Sequence, residues 1–303
     1  VGGFAAAAGL LVQAAFFYAS IIIMTDTNNK PAGKAPFPPG RAGGWAFILH
    51  LADNALIIGQ RNAEWCGHGP ALEQDIAITN ISLDQIGQAR MLYNYAATLY
   101  NGFGSDEKLA VDQLVPRLWK TYNRELEEDD LAFLRDERQY LNLLLAELPK
   151  GDWAQTVLRQ FFFSAFQFYQ YTELQKSGDA QLSAIAEKSI KEVTYHLRWS
   201  AEWVIRLGDG TEESRHRINN ALQELWMFTG EAFQSASYET VPAEGLKEGW
   251  MQRITSVFAE ADLEIPKGGW AQTGGKQGKH TEHLGYLLAD MQYLQRTYPN
   301  STW

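Results

Sequence analysis

The chain has 303 residues, 46% of them hydrophobic and 20% charged, enough to bury one large core or two small ones. A net charge of −10 and a pI near 5.1 exclude the basic stripe on which nucleic-acid binding depends. Cys66 is the only cysteine, which rules out a disulfide framework or a cysteine-built zinc or iron–sulfur site and suits a reducing, cytoplasmic setting.

Residues 1–25 carry no charge, and the apolar stretch 4–24 has the length of a bilayer span. It lacks the basic start and small-residue cleavage site of a secretory signal. Met24 opens a polar segment resembling an ordinary N-terminus, so 1–24 reads as an extension outside the working fold. A membrane anchor and a partner-binding helix are the alternatives. Residues 25–44, rich in Pro, Gly, Lys and Asn, read as a flexible leader. From 45 to 303 the pattern is that of one helical domain, with no association with a membrane expected.

A first helix is predicted over 45–64, with Leu49, Ala52, Leu56 and Gly59 as its inner face. The tight connection 65–70 leads into a second helix, 72–95, whose inner stripe is read as Leu72, Ile76, Leu83, Ile86 and Tyr93. A short loop between two long helices makes them antiparallel. Residues 101–106 break the pattern, and the leucine rhythm 131, 134, 141, 145, 148 predicts a helix over 129–147. Asp152 caps the next helix, 153–176, which is dense in aromatics and too apolar all round to face water. It is therefore expected to be central or covered by another chain. A turn at 177–179 opens 180–207, with Ala186, Ile190, Val193, Leu197, Ala201 and Val204 inward. Shorter helices follow from Thr211 to about 230 and over 245–263. A Gly-rich loop, 267–279, precedes a last helix, 281–297. No strand pattern appears, and the pair 45–95 resembles the pair 153–207 in layout, as a duplicated bundle would. The fold class read from the chain is all-α, a four-helix bundle with additional C-terminal helices.

Bundles that bind two irons carry a Glu on each of two helices and Glu-x-x-His on each of the other two. The second helix has Asp84-Gln85-Ile86-Gly87-Gln88, so neutral amides stand where a carboxylate and an imidazole belong. Amides are weak donors and bring no charge to offset a dication. In the echo helix the matching frame is Glu192-Val193-Thr194-Tyr195-His196, where only His196 has the right type. Folding each hairpin at its turn sets Gln85 opposite His50, near Asp53, and Val193 opposite Ala165 among aromatics. Asp53, His196 and one of Asp84 or Glu192 could gather, too few for two irons. These positions read as a vestigial site turned into a buried polar network.

The runs LADNALIIGQRNAEWCGHGP, LEQDIAITNISLDQIGQARMLYNYA, KEVTYHLRWSAEWVIRLGDGTEES and GKHTEHLGYLLADMQYLQRTYP together resemble one family closely. It is the C subunit of the bacterial phenylacetyl-CoA ring epoxidase of aerobic phenylacetate degradation. The resemblance covers about 45–303 and implies a ferritin-like fold without catalytic residues or a metal of its own. It also implies that the di-iron centre sits in a paralogous A subunit, which this chain pairs with and supports. A small B subunit and a flavin and iron–sulfur reductase complete the oxygen- and NADPH-dependent system. An independent ferritin-like oxidase with a reduced metal site is the competing expectation. Exposed aromatics, among them Trp65, Trp119, Trp199 and Trp203, are expected where the A subunit is held. Lys276, Lys279 and His280, in a Gly-rich loop before a helix, could touch a CoA phosphate, although the loop is not a P-loop and acyl-CoA contact is at most indirect. His280 and His283 otherwise read as a capping and surface pair.

Overall fold

The computed structural model describes residues 41–268 and 271–301. Four long helices form its centre: α1 (Arg41–Ala63), α2 (Leu72–Asn101), α3 (Trp153–Leu174) and α4 (Ala180–Gly208). Smaller helices α5 (Glu212–Leu225), α6 (Lys247–Glu260) and α7 (Glu282–Met291) follow. No strand occurs among the described residues.

Helix α1 starts at Arg41, ahead of the predicted boundary, and every residue from Trp45 to Asn62 is buried. Its length is mostly apolar and it forms the axis of the core, with the polar members His50, Asp53, Asn54 and Asn62 partnered inside. It is long and apolar enough to cross a membrane, yet the protein's own side chains cover it. The single inner face expected for it was therefore too narrow.

Local chemistry sets the helix ends. Asp152 and Gln155 form a reciprocal capping box at the start of α3, with bonds of 2.9 and 2.8 Å. Asp179 accepts from the backbone of Gln181 and Leu182 at the start of α4, each at 3.0 Å. Gly208 ends α4 where a Cβ would stand 2.1 Å from the carbonyl oxygen of Ala261, so only glycine lets α4 and the end of α6 meet.

Cross-links fix the directions of the four helices. Trp45 bonds the carbonyl of Ala96 and Asn62 bonds Gln160, so α1 runs antiparallel to both α2 and α3. Helices α2 and α4 are antiparallel as well, since Gln74 meets Trp203, Gln88 meets Glu192 and Tyr95 meets Asp179. All neighbours in the bundle thus run opposite ways, joined by one long crossover, residues 102–152. That is the all-α, ferritin-like arrangement read from the sequence. Helix α3 is central as expected, with Phe161 and Phe162 fully enclosed and Trp250 of α6 bonded to the Phe162 carbonyl at 3.0 Å. The inward stripe of α4 holds too: Ala186, Val193, Leu197 and Val204 are buried, and Ile190 and Ala201 are partly so.

Two expectations need correction. The helix predicted over 129–147 is broken into Glu128–Phe133, a 3₁₀ turn at Glu137–Gln139 and the single turn Leu144–Glu147. The backbone of Leu141 donates to Asp53 Oδ2 and that of Leu143 to Asn54 Oδ1, both at 2.8 Å, while Leu144 donates to Glu231 Oε2 at 2.8 Å. Buried side chains thus take the amides that a helix would use internally, and tertiary partners override the leucine rhythm. In α2, Leu72, Ile76 and Leu83 face outward, and the buried face is instead Ile78, Ile81, Ser82, Gln85, Gln88, Ala89, Leu92 and Tyr93. Of the predicted stripe Tyr93 is buried and Ile86 half-buried beside Gly59, whereas Leu72, Ile76 and Leu83 lie on the wrong side, because the true inner face carries glutamines and alanines among its apolar residues.

Candidate functional site

Of the positions read as a vestigial site, Asp84, Gln85, Gln88, Glu192 and His196 converge, around a partner that sequence reasoning missed. Gln167 of α3 lies between the two glutamines of α2. Gln85 Nε2 donates to Gln167 Oε1 at 2.9 Å, and Gln167 Nε2 donates to Gln85 Oε1 at 3.3 Å and to Gln88 Oε1 at 3.0 Å. Gln88 Nε2 donates outward to Glu192 Oε2 at 2.8 Å. The second proton on Gln85 Nε2 points to His196 Nδ1 at 3.3 Å, and His196 Nε2–H donates to Asp84 Oδ2 at 2.9 Å. His196 is thereby held as the Nε2–H tautomer.

The three glutamines are fully buried or nearly so, whereas Asp84 and Glu192 reach the edge of the bundle. Burial pushes the Glu192 carboxyl up, and the Gln88 amide offsets this only in part. Val193 packs in the apolar core and contributes no polar atom. The chemistry of this donor set does not suit two irons. It offers three neutral amides joined through Gln167, and one imidazole whose two nitrogens are already committed. Among the described residues, no three His, Cys, Asp or Glu side chains form a group able to hold a metal ion.

Asp53 is not part of this cluster. Gly59, rather than His50 or Asp53, lies beside Gln85, because the connection between α1 and α2 runs to Ala71 and shifts the facing level. Asp53 instead forms a buried ion pair with Arg135, whose guanidinium also bonds the Tyr93 hydroxyl at 3.0 Å and the Gln139 carbonyl at 2.7 Å. One turn away, His50 Nδ1–H donates to the Leu141 carbonyl at 2.6 Å. Burial, with Lys276 nearby, pulls this imidazole down to about 3, so it is neutral.

The Gly-rich loop is a clasp, not an anion cradle. Lys276 is 1% exposed, and its ammonium donates to Glu239 at 2.8 Å and to the carbonyls of Gln234 and Ala232 at 2.8 and 3.2 Å. Glu231 accepts from the backbone of Gly274 at 2.7 Å. His280 is likewise not a surface residue: its ring bonds Glu147 Oε2 at 2.7 Å and the Tyr140 carbonyl at 2.9 Å. A phosphate contact through Lys276 or His280 is therefore corrected, since both are consumed inside the fold. Lys279 alone of the three reaches solvent.

The tryptophans expected to be exposed also turn inward. Trp65, Trp199 and Trp203 each meet Trp153 edge-on, at centroid distances of 5.1, 5.8 and 5.5 Å. Both Trp199 and Trp203 donate to Gln74 Oε1, and Trp65 donates to Thr156. Trp119 packs edge-on against Tyr100. Trp65 from the α1–α2 connection, Trp153 of α3 and Trp199 and Trp203 of α4 complete one another as bundle packing, and the indole N–H groups of Trp65, Trp199 and Trp203 have their acceptors within the chain.

Comparison with known proteins agrees with this architecture. The family model described as phenylacetic acid catabolic protein matches residues 38–303. The chain is similar to the C subunit of the 1,2-phenylacetyl-CoA epoxidase of Escherichia coli (strain K12), with 42% identity over 266 residues. That match spans 85% of this chain and 98% of the relative. The chain belongs to the phenylacetic acid catabolic protein family.

Proposed function

We propose that this chain is the non-catalytic structural subunit of a multicomponent phenylacetyl-CoA epoxidase of aerobic phenylacetate catabolism. It pairs with and supports a di-iron A subunit, beside a small B subunit and a flavin and iron–sulfur reductase. The observation carrying this reading is the amide cluster in which Gln167 bonds both Gln85 and Gln88, with the two α2 glutamines at the spacing where a ferritin-like bundle would carry iron ligands. Within that cluster each amide oxygen already accepts a hydrogen bond from another glutamine, and none of the three carries the charge that would offset a dication. The relative's name, which makes it one subunit of an epoxidase, supports the assignment to an assembly. The substrate then sits mainly in another chain, since Lys276 and His280 are tied up here. The setting is cytoplasmic.

The chain, expressed alone and with the A subunit, tests this by iron content and by oxygenation of phenylacetyl-CoA in the presence of reductase. Expected are no tightly held iron and no oxygenation from the chain alone, and oxygenation once the A subunit is present. Two irons per isolated chain, or turnover without a partner, would establish the competing reading as an independent ferritin-like oxidase.

A further inference from the structure

The outward stripe of α2 has no partner within the described residues. Leu72, Ile76 and Leu83 are 72%, 51% and 42% exposed, at helical steps of four and seven. The same stripe continues to Gly87, which sits in mid-helix, where a glycine weakens the helix relative to alanine. Nothing within 4 Å would touch a Cβ added there. This chain's own packing therefore gives no reason for a glycine at that point. On α4, level with Leu83 through the Asp84–His196 bond, Tyr195 is 38% exposed. Asp84 and Glu192, the outer ends of the amide network, border this surface.

We propose that the outer α2–α4 face, centred on Leu83 and Gly87, is where the A subunit docks. A helix of that subunit would lie across the stripe with a large apolar side chain over Gly87. Glycine in the middle of an apolar stripe lets two helix backbones come close, so that a ridge of one fills the groove of the other. The face is large enough to form the centre of an interface, though not the whole of one. From Leu72 to Gly87 it runs about 22 Å along the axis, and two adjacent helices make it about 20 Å wide. The area is on the order of 450 Å², roughly half of the ~800 Å² that each partner gives to a standard interface. Lys188, Lys191, Arg198 and Glu202 on the outer side of α4 supply a charged rim, the usual border of such an apolar centre. The proposal rests on the pairing reading above and identifies the surface that performs it.

The test measures affinity for the A subunit in the wild-type chain and in Gly87→Leu, Leu83→Glu and Tyr286→Ser. Tyr286 is 71% exposed on α7, away from this face, and serves as the control. Gly87→Leu also removes a helix-weakening residue, so the isolated variant should melt no lower than wild type and weakened pairing would not reflect misfolding. Expected is at least a tenfold weaker complex for Gly87→Leu and Leu83→Glu, with Tyr286→Ser unchanged. Wild-type affinity in both face variants, alongside a tight wild-type complex, would overturn the surface and leave the pairing intact. No complex between the wild-type chain and the A subunit would remove the pairing reading and this surface with it. If the variants instead dissociate a homodimer and leave A-subunit binding untouched, a second copy is the occupant and the proposal fails.

Discussion

Glutamine suits the middle of this bundle because its amide both donates and accepts, so a cluster of amides can bond within itself and on to His196 and Glu192 while adding no charge of its own. Gln167 is the hub: it serves Gln85 twice and Gln88 once. Gln167→Leu leaves a donor on Gln85 and an acceptor on Gln88 buried and unpaired, and should cost about 2–4 kcal/mol. Urea unfolding of the variant against wild type reads this directly, and a loss below ~1 kcal/mol would mean that water replaces the amide. Gln85 and Gln88 were readable in the sequence because they stand at a known ligand spacing. Gln167 was not, since the facing level derived from the turn stopped at Ala165 and its aromatic neighbours. A signal did exist: Gln160, Ser164 and Gln167 recur at four and three residues within an otherwise apolar helix. The structure shows that stripe bonded, Gln160 to Ser164 at 2.7 Å and Asn62 to Gln160 at 2.7 Å. Polar groups at helical spacing in a buried helix demand partners on the neighbouring helices.

At the scale of elements, the crossover between α2 and α3 is where sequence reasoning failed most, and the cause is long-range. Asp53 and Asn54 on α1 hold residues 141–143 extended by their backbone amides, a demand that no local window of the crossover contains. The long helices were read nearly to their ends, since caps such as Asp152 and Asp179 are local. The crossover is also clasped from the C-terminal side by His280, which donates from both ring nitrogens to Glu147 and the Tyr140 carbonyl. Burial alone would lower that imidazole, and the Glu147 carboxylate with the Tyr140 carbonyl outweighs it, so its pKa lies above the ordinary value. A raised histidine pKa stabilises the fold fully below the unfolded value, about 6.5, and the contribution fades as pH climbs through the folded value. Between pH 6 and pH 9 the wild-type chain should therefore lose stability that His280→Gln does not lose. Chemical denaturation at a series of pH values checks this, and equal slopes for both proteins would show that folding leaves the affinity of the ring for its proton unchanged.

For the whole molecule, the all-helical class, the antiparallel hairpins and the central place of α3 were legible because each follows from periodicity and turn length. Which side of α2 faces inward was legible only in part, at Tyr93, because Ser82, Gln85 and Gln88 on the inner face displace the usual apolar signal. The extension 1–24 and most of the leader 25–44 lie outside the described residues. The buried ammonium of Lys276 has one further consequence. An amine-acylating reagent should label Lys279 on first contact, while Lys276, three positions away and paired with Glu239, stays unmodified until its surroundings open. The time course of its acylation, followed by mass spectrometry, would then be a clock for the breathing of the C-terminal third against the bundle. Labelling of both lysines at one rate would show that this region opens freely in the native state.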